Sequence, residues 1–308
     1  MITAAHIEVR CCHGHDEFAA CADLERAVWG SPDIELVPSA LFAITTETGG
    51  QVLGAFEHGR MIGFTLAVGG CRGGSTGHRP QPYLHSHMTA VLPDYRNLGV
   101  GRKLKLFQRE EALSRGIALV EWTFDPLELR NAYFNLVRLG AIVRRFLPDL
   151  YGITASPLHS GMPTDRFVAE WWLSSARVEV ASAGPEPQLA SGPAIVRPAI
   201  VRPKTERATE RHDTERHDTK RTGTERSATE RPSTERPGIE RIDVPSNIAE
   251  LKISSPQDAL EIQTRLREKA QHWLSRGRVI TGIETRAGVS SYLVEHGSQL
   301  EDILQRAP

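Results

Sequence analysis

The chain has 308 residues, enough for one large domain or two modest ones, with 37 basic against 38 acidic side chains. That balance excludes a global attraction to nucleic acid or to a membrane surface, and there is no run of about 18 apolar residues that could span a bilayer. The opening stretch MITAAHIEVRCCHGHDEF lacks the apolar core of a signal peptide, so the expected compartment is the cytoplasm, where Cys11, Cys12, Cys21 and Cys71 stay reduced.

Strands and helices alternate through the first half. Ile7–Arg10 reads as a strand and Asp16–Val28 as a helix stopped by Gly30 and Pro32. The Cys11-Cys12-His13-Gly14-His15 cluster fits no paired zinc spacing, and no metal is expected. Gln51–Glu57 and Met61–Val68 are apolar runs joined by His58-Gly59-Arg60, a hairpin signal. Pro82–Val91 is the next strand, Gly99–Arg115 a helix stopped by Gly116, and Ala118–Phe124 a strand. Leu129–Leu139 is helical up to Gly140, and Phe167–Leu173 is an apolar strand.

No aromatic residue lies between Trp172 and Trp273. Within that span AIVRP occurs twice in tandem, and Thr-Glu-Arg recurs from Thr205 to Thr234 with a dominant step of five. A step of five matches neither helical nor strand periodicity, so no face becomes apolar, and the segment cannot bury enough surface to offset chain entropy. Residues 181–242 are therefore expected to form a disordered insertion after a core at 1–180. At 243–308 a helix and a hairpin should pack back on that core. Ser255 and Pro256 open the helix, Ala259, Ile262, Leu266, Ala270 and Trp273 share one face, and Gly277 closes it. Arg278–Glu284 and Ser290–Glu295 then pair around Ala287-Gly288.

The most telling stretch is VLPDYRNLGVGRKL, from Val91 to Leu104. It leaves a strand, turns at Pro-Asp, and places Arg96, Gly99 and Gly101 in an R-x-x-G-x-G loop at a helix start. Glycines there let backbone N–H groups approach an anion, and the unpaired first N–H groups of the helix favour phosphate. A dinucleotide fingerprint needs a third glycine where Leu104 stands, and a P-loop needs Gly-Lys-Ser/Thr, which is absent. Arg102, Lys103 and Lys105 add positive charge beside the loop.

The string resembles motif A of the GNAT acyltransferase superfamily. NAYFNLVRLGA at Asn131–Ala141 resembles motif B of the same superfamily. EWTFDPL at Glu121–Leu127 and PTDRFVAEW at Pro163–Trp171 look like a bacterial subgroup with no assigned substrate. The resemblance implies an α/β (α+β) GNAT fold: a mixed, mostly antiparallel sheet, splayed between its fourth and fifth strands at the acyl-CoA cleft, with flanking helices. It implies acetyl-CoA as acyl donor and a small-molecule or peptide amine as acceptor. A homodimer is left open.

Acyl transfer to an amine requires placement of the thioester, removal of an amine proton and stabilisation of the oxyanion. The resemblance assigns placement to backbone groups of Thr89, Ala90 and Val91 and to the loop Arg96, Asn97, Leu98, Gly99, Val100, Gly101 and Arg102, with an amide near Ala90 polarising the thioester. His85 and His87, two apart on one strand, should share a face. His85 stands eleven residues before Arg96, where the histone-acetyltransferase branch carries a glutamate base, and Glu121 is a second candidate. The family tyrosine that protonates the leaving thiolate is replaced by Leu136, with Tyr133 one turn earlier. Asn131 and Asn135 could share a face and bond the pantetheine arm. Two rival readings are a non-catalytic acyl-CoA-binding module and an interaction protein acting through the repeat.

Overall fold

A computed structural model describes residues 6–30, 36–73, 80–152, 161–184 and 239–297. Ten strands form a single sheet in the order β1-β2-β3-β4-β5-β7-β6-β9-β10-β8. They are β1 (Glu8–Cys11), β2 (Gln51–Glu57), β3 (Arg60–Arg72), β4 (Gln81–Val91), β5 (Leu119–Phe124), β6 (Ile142–Leu147), β7 (Arg166–Trp172), β8 (Glu240–Pro245), β9 (Arg278–Arg286) and β10 (Val289–His296). Among the described residues every strand pair is antiparallel except β4 with β5. The sheet is thus mixed and mostly antiparallel with flanking helices, the architecture expected.

The helices are α1 (Gly14–Trp29), α2 (Ser39–Glu47), α3 (Val100–Ser114), α4 (Leu129–Tyr133), α5 (Ala176–Ala183), α6 (Ile248–Ser254) and α7 (Pro256–Leu274). Phe18, Cys21 and Leu24 of α1 and Phe42 of α2 pack with Phe64, Leu66 and Ala90 on one face of the sheet. Val100 and Leu104 of α3 meet Leu53, Ala55 and Ile62 on the other. A larger core runs from Leu84, Val120 and Trp122 through Leu136 and Phe167 to Ile262, Leu266, Ile280 and Tyr292. Phe167 makes edge contacts with Phe124, Phe146 and Tyr292, joining β5, β6, β7 and β10.

Several elements differ from the sequence expectation. Helix α2 was not expected, because SALFAITTE carries three β-branched residues and no charge until its last position, a poor helical signature. Strand β3 runs through Gly69 and Gly70 to Arg72 rather than ending at Val68. The Leu129–Leu139 helix is α only to Tyr133, and Phe134–Arg138 then form a π turn. Arg177 of α5 donates to the Leu136 carbonyl at 2.9 Å and the Gly140 carbonyl at 2.9 Å, satisfying groups that the widened turn leaves free.

The expected 181–242 insertion is trimmed at both ends: α5 reaches Ala183 and β8 begins at Glu240. The repeat itself, within 185–238, lies outside the described residues. Beyond it, β8, β9 and β10 continue the main sheet through the Val143–Ile280 pairing of β6 with β9. Lys252 of α6 bonds Asp125 at 3.1 Å and Glu128 at 2.9 Å, and Arg267 of α7 holds Asp165 by two bonds of 2.9 and 2.7 Å. The β9–β10 turn has Ala287 and Gly288 at φ 47° and 79°, matching the expected hairpin. Ser255 at the start of α7 donates to the Asp258 carboxylate at 2.7 Å instead of bonding a helix N–H.

Candidate active site

Strands β4 and β5 pair only at Leu84–Val120 and His85–Glu121. Beyond these pairs the strands part, so Ser86 and Trp122 stand at the floor of a fork. Its rim is the segment from Thr89 to the start of α3. A short turn at Pro93–Tyr95 carries the chain to Arg96, and the Tyr95 hydroxyl pins it to Glu57 at 2.5 Å. Asn97 and Gly99 take left-handed backbone at φ 63° and 78°, swinging the chain into α3 with Gly99 as its cap. As a glycine, the cap offers no side chain to the first amides of the helix. A Cβ on Gly101 would meet only the Val91 methyl, at 4.0 Å. The fold therefore has room for a side chain at Gly101, and its absence leaves open space in front of the α3 amides. Such a cradle fits phosphate oxygens.

The side chains around it are arranged differently from the expectation. Arg96 bonds back to the Val91 carbonyl at 3.3 Å. Arg102 is only 8 % exposed and turns away from the loop. Its Nη2 donates to the carbonyls of Ala181, Ser182 and Gly184 at 3.2, 2.8 and 3.1 Å, capping the end of α5. Only its backbone remains for a ligand at the cradle. Lys105 is also drawn inward, 4 % exposed, with Nζ over the Trp122 ring at 4.2 Å. Leu98 and Val100 face the α3–sheet core rather than the cradle.

A bulge in β4 separates the two histidines. Leu66 pairs with Met88 and Ala67 with Ser86, which leaves His87 as the extra residue. The register change breaks the period-two rule: His87 is exposed while His85 is half-buried. Burial, aided by His87, Lys105 and Arg145, lowers the His85 pKa from its ordinary value, so the ring is neutral at pH 7. Thr89 bonds Thr65 at 3.1 Å, and Ala90 is buried against α1 and α2.

Glu121 stands directly beside His85, and Glu170 of β7 stands beside Glu121. Both carboxylates are buried and ion-paired. Glu121 binds Arg72 and, at 2.7 Å, Arg145; Glu170 binds Arg144 at 2.6 Å. Burial raises the Glu121 pKa and the two arginines oppose that shift. The candidate base Glu121 is thus committed to two cations, and His85 has the freer ring.

Asn131 and Asn135 do not share an environment, because the π turn intervenes: Asn131 is exposed and Asn135 buried. The Asn135 Nδ2 is buried without a hydrogen-bond partner. Leu136 is fully buried and Tyr133 packs half-buried against the main core. Sequence reasoning passed over Ser86, Gln108, Trp122, Glu170 and the Arg72/Arg144/Arg145 group. One signal was available: Lys105 sits between two leucines, Leu104 and Leu106, on α3.

The family described as Acetyltransferase (GNAT) matches residues 18–134. That span runs from α1 to α4 and contains the cradle and the fork. A search of curated proteins finds no match. Among solved structures, the Escherichia coli ribosomal-protein-S18-alanine N-acetyltransferase is 16 % identical, covering 55 % of this chain and 96 % of its own, at TM-score 0.42. The Salmonella typhimurium yncA protein with its cofactor acetyl-CoA is 19 % identical, covering 55 % and 95 %, at 0.43. Arabidopsis thaliana Naa50 in complex with a CoA-peptide bisubstrate analogue is 10 % identical, covering 54 % and 98 %, at 0.41.

Proposed function

The chain belongs to the GNAT acetyltransferase family through residues 18–134, and from that premise we propose that it transfers an acetyl or related acyl group from coenzyme A to an amine. The observation that carries this reading is the open space at Gly101, at the start of the helix that follows β4, the strand that parts from β5 after His85. When bound, acyl-CoA supplies the activated acyl carbon as a thioester. The backbone amides from Gly99 to Arg102 hold the pyrophosphate, with Asn97 and Leu98 shaping the approach. Backbone groups of Thr89, Ala90 and Val91 hold the arm along β4, and the unpartnered Asn135 amide donates to it. An amide near Ala90 orients the carbonyl.

The acceptor amine approaches from the opposite face, beside His85. His85 takes its proton, because a neutral imidazole can accept one at pH 7. The ion-paired Glu121 stabilises the imidazolium that results. The acceptor is a small-molecule or peptide amine, with no part for nucleic acid, membrane or metal. No helix among the described residues is long and apolar enough to cross a membrane.

Calorimetry with acetyl-CoA, followed by mass spectrometry of acyl transfer to a panel of amines, tests the reading. Tight binding with turnover of at least one amine is expected. Binding without any turnover would leave a coenzyme A-binding module, and no binding would remove the reading altogether.

A further inference from the structure

A buried polar chain runs beneath the fork. Gln51 Nε2 donates to the Glu111 carboxylate and, at 3.2 Å, to the Gln108 carbonyl. Gln108 Nε2 donates to Gln51 Oε1 at 3.1 Å. Lys105 Nζ donates to Gln108 Oε1 at 3.0 Å and to Ser86 Oγ at 2.8 Å. The direction of every bond is fixed from one end. A carboxylate only accepts, so the Gln51 amide nitrogen faces Glu111 and its oxygen faces Gln108. The Gln108 oxygen must then face Lys105, which donates along the chain to Ser86. With a lone pair of Ser86 taken by the lysine, its own proton is left to donate, and among the described residues no acceptor takes it. Ser86 is the first β4 residue past the last β4–β5 pair, at the floor of the fork.

We propose that Ser86, backed by Lys105, gives the proton to the coenzyme A sulfur as the acyl carbon–sulfur bond breaks, an inference that rests on the acyl-CoA reading above. The electron pair of the broken bond stays on sulfur. The Ser86 hydroxyl proton moves to that sulfur, the Lys105 ammonium replaces it on Ser86, and Lys105 is left neutral until solvent reprotonates it. The amine's proton leaves separately through His85. Ser86 is the catalytic residue in this step and Lys105 the positioning residue. The pair fills the role that Leu136, fully buried and apolar, cannot.

Two further features fit this role. The groups facing Lys105 are Gln108 on α3, Ser86 on β4 and Trp122 on β5, none of them charged, with Gln51 on β2 behind Gln108. His85 and Glu121 lie on the far face of the sheet, and Glu111 is one amide further along. Burial without a counter-ion pushes the Lys105 pKa down to about 7. An ordinary thiol has a pKa near 8.5, so proton transfer from this lysine to a thiolate is favoured about 30-fold, whereas a lysine at its usual value would oppose it.

The test uses coenzyme A bound to the full chain, with its ultraviolet thiolate absorbance followed against pH. Bound to the wild type, the thiol should ionise about one pH unit below its value in Ser86→Ala, which removes the hydroxyl that donates to the thiolate. Desulfo-coenzyme A should bind the wild type more weakly than coenzyme A, and Ser86→Ala alike. Turnover should fall about 10²-fold or more in Ser86→Ala and in Lys105→Met with KM for acetyl-CoA unchanged. Ser86→Ala removes no charge and little volume, so it remains informative if Lys105→Met fails to fold. Thiol ionisation equal in the wild type and Ser86→Ala would overturn the proposal while leaving the acyl-CoA reading intact. Failure of the wild type to bind coenzyme A would overturn both.

Discussion

At the scale of single residues, burial changes what side chains do. Lys105 is held near pH 7 in the fold against 10.5 when free. Between those values the unfolded chain carries the extra proton, so stability rises as pH increases from about 7 toward 10.5. The full effect is on the order of 5 kcal/mol, from the size of the shift at about 1.4 kcal/mol per unit. Denaturant unfolding across that range should show the rise in the wild type and not in Lys105→Met. His85 obeys the same sign: its folded value lies below 6.5, so its contribution to stability is lost as pH falls below 6.5. In catalysis the acid limb of the pH–turnover profile should lie below 6.5, and His85→Ala should remove that limb and cost about 10²–10⁴-fold in turnover. An unmoved limb in His85→Ala would assign the proton to another acceptor.

At the scale of elements, the R-x-x-G-x-G string and the helix after it were legible because backbone chemistry writes itself into glycine spacing. The fates of Arg102 and Lys105 were not, because a cation on a helix start reads as surface charge until its neighbours are known. Arg102 faces α5, which lies 74 residues onward at its first residue, Ala176, and no local pattern announces that meeting. The His85–His87 pair misled for a related reason: a bulge depends on the partner strand's register, not on the strand's own sequence. These differences separate the two glycines. Gly101→Val should leave the melting temperature nearly unchanged while weakening acetyl-CoA binding about ten-fold or more. Gly99→Val, at φ 78°, should lose both stability and binding. Arg102→Ala should cost about 1–3 kcal/mol in denaturant unfolding by uncapping α5.

At the scale of the whole molecule, the chain from β8 to β10 is bound into the same sheet and core as the first half. Tyr292 is fully buried and its hydroxyl donates to the Pro126 carbonyl at 2.5 Å. Ending the chain at residue 238 would uncover Phe167, Phe124 and the flank of β6 together, and such a fragment should aggregate or stay unfolded by circular dichroism. That the C-terminal helix and hairpin would pack on the earlier part was readable from their inability to enclose a core alone. That they would lengthen the sheet past β6 was not, since one short pairing at Val143–Ile280 makes the junction.

The stretch 185–238 enters from α5, tied down by Arg102, and leaves into β8, tied down by β10. Both ends are therefore fixed by the fold whatever the length between them. For the flexible chain that its composition leads one to expect, the closure cost grows only with the logarithm of length. Shortening about 54 residues to about 6 should then raise stability by only about 2 kcal/mol, and adding or removing one five-residue unit should change it by about 0.1 kcal/mol. A series of proteins differing only in the number of Thr-Glu-Arg units should melt within a degree or so of one another, so copy number at this point can drift with almost no thermodynamic consequence.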